Sequence, residues 1–152
     1  LTSSRIPVIL NFDEAYLLPA TVTIFSLLKN HPGRQFKIYL ISAESNPEWI
    51  EPLAVMVQNM GSEVILKSLS LDSLSNIKLN RHFTLATYFR LFAANLIGES
   101  KALYLDSDIL INGDLTELWE TDLGEYPLAA VGDFLIDDFA RLDLSPEDGY
   151  FN

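Results

Sequence analysis

The stretch that most constrains this chain is residues 101–114, KALYLDSDILINGD. Residues 102–105 form a short apolar run containing an aromatic, the pattern of a buried strand. The run ends in two carboxylates, Asp106 and Asp108, on either side of Ser107. In an extended chain residues i and i+2 lie on the same side, so both carboxylates are expected to project together from the strand end. Two like charges that close repel each other, and burying them unpaired is costly. A hard divalent cation, Mg²⁺ or Mn²⁺, relieves that repulsion and also gathers the oxygens of a diphosphate. Asp106 and Asp108 therefore read as the metal ligands of a nucleotide diphosphate site. The competing reading is that they solvate a strand end and cap the turn after it, since a lone DxD is short and common.

The remaining pattern places this stretch in an α/β chain. Apolar runs at 6–10 (IPVIL), 36–42 (FKIYLIS) and 63–67 (EVILK) predict further strands. Helices are predicted at 16–30, closed by His31-Pro32-Gly33, and from Asn46-Pro47 to Gly61. The first of these is apolar nearly all round and is expected to be heavily buried. Residues 68–83 show no period and read as a long loop. Thr84 is placed to cap a helix over 85–96, with Leu85, Tyr88, Phe89, Phe92 and Leu96 on one face. Asp114 begins a short helix with Glu117 at the capping-box position. A fifth strand at 128–131 and a helix at 134–142 complete the prediction. The alternation implies a Rossmann-like, parallel or mostly parallel sheet covered by helices on both faces.

Length and charge narrow the function. The sequence has 152 residues, suited to one domain, and 49% are hydrophobic, enough for a sizeable core. Acids outnumber bases 21 to 10, for a formal charge of −11, which argues against nucleic acid and against an anionic membrane surface. On so acidic a chain a nucleotide diphosphate needs a cation to reverse the local sign. The sequence lacks cysteine, which excludes disulfides and thiolate chemistry and fits a reducing compartment. No apolar run reaches the length of a transmembrane segment.

Three strands run into acids: the first into Asp13, the fourth into Asp106 and Asp108, the fifth into Asp133. Ligands of open parallel sheets sit beyond the carboxyl ends of the strands, near a topological switch point, so these acids build one edge suited to a metal or a polyhydroxyl ligand. Arg90 is the one charge on a stripe with Ala86, Ala93 and Ile97. A guanidinium there pairs with a strand-end Asp, pairs with a ligand, or packs its stem and sends its head to water. Asp13 accepts from a nucleobase or N-caps the helix behind it, and Tyr16 stacks on a base or packs in the core. His31 and His82 lack metal-ligand spacing and read as ordinary loop or surface residues. Trp49 and Trp119 read as core.

Together these residues resemble glycosyltransferase family 8, the retaining GT-A enzymes that include bacterial lipopolysaccharide galactosyl- and glucosyltransferases and glycogenin. The likeness rests on Asn11-Phe12-Asp13 with Tyr16, on Thr87-Tyr88-Phe89-Arg90-Leu91, and on LYLDSDILINGDLTELWETDLG at 103–124. It implies a GT-A fold and transfer of a hexose from a UDP-sugar, UDP-galactose or UDP-glucose, to a saccharide or lipid-linked acceptor. It implies Mn²⁺ (or Mg²⁺) on Asp106 and Asp108, and donor contacts from Asn11, Asp13, Tyr16, Arg90, Asp106, Ser107, Asp108, Asp133 and Asn152. Tyr150-Phe151-Asn152 looks like the opening of the family's Y-F-N-x-G-V motif. The family's later segments, with a glutamine near the reaction centre, a histidine metal ligand and a diphosphate-binding lysine, would then lie beyond this sequence. The expectation is the nucleotide-sugar-binding, N-terminal part of the enzyme, fold incomplete at the C-terminus. The expected setting is cytoplasmic, with the full-length protein peripheral to the inner membrane.

Three rivals follow from the same residues. One is a UDP-sugar-binding fragment without catalysis. Another is a DxD phosphohydrolase, although that pattern normally sits on the first strand of its domain with Thr or Val after it, and here Ile109 follows. A calcium loop of the EF-hand kind would need an oxygen ligand at its fifth position, where Leu110 stands.

Overall fold

The computed structural model describes residues 5–43, 48–69 and 88–130. The chain falls into two units, residues 1–120 and 121–152. In the first, strands β1 (Ile6–Asn11), β2 (Phe36–Ser42), β3 (Glu63–Ser68) and β4 (Leu103–Tyr104) form a wholly parallel sheet in the order β3-β2-β1-β4. Among the described residues the helices are α1 (Leu17–Lys29), α2 (Glu51–Asn59), α3 (Ala93–Ile97) and α4 (Thr116–Glu120).

The apolar runs at 6–10 and 36–42 form the two central strands, covered on both faces, while the run at 63–67 forms the partly buried edge strand β3. All six residues of β1 are buried. Ile6, Val8 and Leu10 pair in register with Phe36, Ile38 and Leu40, and these six join one cluster with Ile24 and Leu27 of α1 and Leu53 and Val57 of α2. The alternate positions Ile9, Tyr39 and Ile41 join a second cluster with Phe89 and Ala93. The period of two along each strand thus feeds two separate cores.

Topology follows from the helix faces. From β1 through β2 to β3 the chain moves one way across the sheet. It then returns past β1 to β4 with the 88–97 helical stretch against the other face. A right-handed crossover puts its helix on the opposite face only when the direction of travel reverses. The reversal leaves a switch point between the carboxyl ends of β1 and β4, the place where open parallel sheets hold ligands.

Some elements differ from the pattern reading. Helix α1 is covered on one side only: Leu18, Val22 and Phe25 are exposed, while the buried side includes Thr23 and Ser26. Its apolar residues outnumber the places the sheet offers. A 3-10 turn at Glu14–Tyr16 precedes it, and another at Glu48–Ile50 precedes α2. The 88–97 stretch is broken by a 3-10 turn at Arg90–Phe92 and ends at Gly98, whose φ of 66° suits glycine. The Asn46-Pro47 start, Thr84 and the 134–142 helix lie outside the described residues. Of the expected strand at 128–131, residues 128–130 are exposed and form no strand among the described residues, and Val131 lies outside them. In the second unit Gly124 and Tyr126 close a turn onto the Asp122 carboxylate and the Leu123 carbonyl.

Candidate functional site

The aspartate pair stands at the switch point. β4 pairs Leu103 with Val8 and Tyr104 with Ile9, and the Leu105 N–H still donates to the Ile9 carbonyl at 3.0 Å. The strand then gives way to a turn at Ser107 and Asp108, so the pair sits just past the strand rather than on it. The expected alternation nevertheless survives. Asp106 and Asp108 are exposed, while Ser107 is buried and its hydroxyl donates to the Asn11 carbonyl at 2.9 Å. That bond ties the turn to the carboxyl end of β1.

Asn11 is itself buried, and its Oδ1 accepts from the Tyr104 hydroxyl. Burial pushes the Tyr104 phenol up; the nearby Arg90 cation opposes this and Asp106 adds to it. Tyr104 therefore stays a neutral donor at ordinary pH. The Arg90 guanidinium lies 5.2 Å from the Tyr104 ring centre, with Nη2 3.5 Å from Asp106 Oδ1. Of the options open to Arg90, pairing with a strand-end Asp is realised. The Arg stands on the α3 side of the sheet, where alternation along β4 also carries Tyr104.

Asp13 occupies the N-cap position of the Glu14–Tyr16 turn in extended conformation, yet its side chain makes no capping bond. Its carbonyl accepts the Tyr16 N–H at 3.0 Å. Tyr16 is 47% exposed, which removes the core-packing alternative. Asp133 and Asn152 lie outside the described residues. Contacts thus unite Asn11, Arg90, Asp106 and Ser107, and Asp13 and Tyr16 occupy the loop leaving β1.

The sequence reading missed Tyr104 and a polar stripe on α1. Thr23 Oγ1 donates to the Ile109 carbonyl at 2.7 Å. Ser26 Oγ accepts the Ile111 N–H at 3.0 Å, and Asn30 Nδ2 donates to the Ile111 carbonyl at 2.8 Å. His31, expected to be an ordinary loop or surface residue, is instead buried. Its Nδ1 lies 2.6 Å from the Leu27 carbonyl, and Nε2 accepts the Leu115 N–H at 2.7 Å, which assigns the ring proton to Nδ1. Phe36 meets that ring edge to face. Asp114 accepts the Thr116 N–H at 2.8 Å, and Thr116 holds its carboxyl below the usual range. The available signal was small polar residues at 23, 26 and 30, spaced i, i+3, i+7 along one face of a mostly apolar helix and its C-cap. Trp49 and Trp119 pack against the core but remain partly exposed.

The parallel α/β sheet with its helices matches the GT-A-like fold of glycosyltransferases of known structure. The galactosyltransferase LgtC, solved in complex with donor and acceptor sugar analogs, is similar to this chain at a TM-score of 0.69 and 27% identity, over 78% of this chain and 44% of LgtC. Glycosyltransferase GlyF of Streptococcus pneumoniae serotype 4 is 33% identical over 129 residues, which cover 85% of this chain and 32% of GlyF. The lipopolysaccharide 1,2-glucosyltransferase of Escherichia coli K12 is 28% identical over 134 residues, 87% of this chain and 40% of that enzyme. The profile of Glycosyl transferase family 8 matches residues 7–152, and the chain belongs to that family. It spans about a third of the length of GlyF.

Proposed function

We propose that residues 1–152 are the nucleotide-sugar-binding part of a metal-dependent retaining glycosyltransferase. Its donor is a UDP-hexose, UDP-galactose or UDP-glucose, and its acceptor is a hydroxyl of a saccharide or lipid-linked sugar. The observation that supports this most is the Asp106–Asp108 turn, exposed at the switch point and anchored through Ser107 to the end of β1. Its donor set fits a hard cation, Mn²⁺ or Mg²⁺, in kind: two exposed carboxylates whose oxygens suit such an ion. The rest of the ion's oxygen shell would be drawn from the diphosphate and water.

Asp106 and Asp108 would hold the ion and Ser107 would orient them. Bound there, the ion supplies Lewis-acid stabilisation of the charge on the departing UDP. Arg90 stands beside Asp106 as a fixed cation, suited to the diphosphate or to sugar hydroxyls. The exposed ring of Tyr16 offers a face to the uracil, and Asp13 an acceptor for its N–H. Asn11 serves from beneath, through its bonds to Tyr104 and Ser107.

The test is calorimetric titration with UDP, with and without Mn²⁺. Tight binding that requires the metal, weakened tenfold or more in Asp106→Ala, is the expected result. Parent-like binding by that variant would overturn the metal assignment. Turnover of a UDP-hexose with retained anomeric configuration separates an enzyme from a binding module. An acyl-phosphate trapped at Asp106 would point to the phosphohydrolase.

A further inference from the structure

The polar stripe of α1 reaches a segment that carries no strand partner among the described residues. Residues 109–111 leave the aspartate turn along α1, where the Thr23, Ser26 and Asn30 side chains bond the Ile109 carbonyl and both backbone groups of Ile111. Thr23 is fully buried and Ser26 nearly so. Ile24, Leu27 and Leu28 already dock this helix on the core. A buried hydroxyl carries a desolvation cost that an apolar side chain of the same shape avoids. Two such hydroxyls on the docked face make sense if the object is the backbone geometry of the neighbouring segment.

Asp108 is the residue caught between the anchors. On one side Ser107 is bonded to the Asn11 carbonyl at the end of β1. On the other, the Ile109 carbonyl is held by Thr23, and Ile111 is held at both its N–H and its carbonyl. With both neighbours fixed, little backbone freedom is left to the carboxylate. Resting on the cation-site reading above, we infer that Thr23, supported by Ser26 and Asn30, is a positioning residue that sets the Asp108 carboxylate for a divalent cation and nucleoside diphosphate. A preformed ligand needs no ordering when the ion arrives.

The experiment compares Thr23→Val, which keeps the shape and removes the hydroxyl, with Thr23→Ser, which keeps the hydroxyl. Parent and Asp108→Ala are run alongside. Two quantities are measured: amide hydrogen exchange over 107–112 without metal, and Mn²⁺-dependent UDP affinity by calorimetry. Thr23→Val is expected to speed exchange over that segment and to weaken Mn²⁺-dependent binding about fivefold to tenfold. Thr23→Ser is expected to stay within about twofold of the parent. If Thr23→Val matches the parent, or Thr23→Ser falls as far as Thr23→Val, the positioning role is overturned. Should Thr23→Val fail to fold, Asn30→Ala removes the bond to the Ile111 carbonyl from a more exposed position and is judged by the same two measurements. A parent that shows no Mn²⁺-dependent UDP binding overturns the cation-site reading, and the inference with it. A parent that binds, beside a Thr23→Val that binds equally well, overturns the inference alone.

Discussion

Arg90 illustrates how one side chain can matter to binding and little to stability. Its ion pair with Asp106 is long, 3.5 Å, and both side chains are about half exposed. Such pairs contribute about 0–1 kcal/mol, because water screens them and ordering two flexible groups opposes them. Arg90→Ala is therefore expected to shift the urea midpoint by less than about 0.5 kcal/mol in stability. The same change should weaken UDP binding tenfold or more, because it deletes the cation beside Asp106 where the diphosphate would lie. A large stability loss with unchanged affinity would contradict this account. The choice among the options for Arg90 was not visible in its helical stripe, because Tyr104 at the end of β4 and Asp106 just past it reach it from the neighbouring strand, on the same side of the sheet.

At the scale of elements, α1 shows what periodicity conveys and what it omits. Helical length, the Pro19 position and the stop near His31 follow local rules. The buried face does not, because ten or so apolar and small residues leave several equivalent stripes. Only the sheet decides that Leu27 is fully buried while Leu18 is 74% exposed. Leu27→Ala should cost about 2–5 kcal/mol in chemical denaturation, and Leu18→Ala less than about 0.5 kcal/mol. Similar losses at the two positions would mean that the helix is rotated. The burial of His31 has the same origin: Leu115, which bonds its ring, comes from a distant part of the chain, and Phe36 meets the ring from the start of β2.

Over the whole molecule, pH stability rests on carboxylates bonded in the native state. Glu99, just past the Gly98 stop, accepts from Lys37 Nζ at 2.7 Å and from the Tyr39 hydroxyl at 2.5 Å, both on β2. The Lys37 bond first, and the Tyr39 bond second, hold its carboxyl below the usual range. Lys37 is moved up by the same contact. As pH falls the unfolded chain takes up this proton before the folded one does. The contribution of Glu99 is thus complete above about pH 5 and is lost as pH falls through its depressed folded value. Asp114, lowered by Thr116, acts in the same direction. Urea midpoints measured from pH 7 to pH 3 should fall, and Glu99→Gln should start lower at pH 7 and fall less steeply. A variant with an unchanged slope would show that this pair has no part in acid stability.

The first four strands, the parallel α/β class and the acidic pair were legible in the residues themselves, whereas the strand expected at 128–131 is not formed at 128–130. Apolar runs of strand length, helix stops and the i, i+2 spacing of Asp106 and Asp108 are local properties, and local sterics and hydrophobicity suffice to express them. The tertiary structure decided the strand order β3-β2-β1-β4, and with it the switch point that brings Asn11 beside Ser107 and Tyr104. It also decided which face of α1 meets the chain after Asp108. These contacts join residues more than 80 positions apart. Their free energy depends on sheet register and helix docking, which no short window of sequence contains.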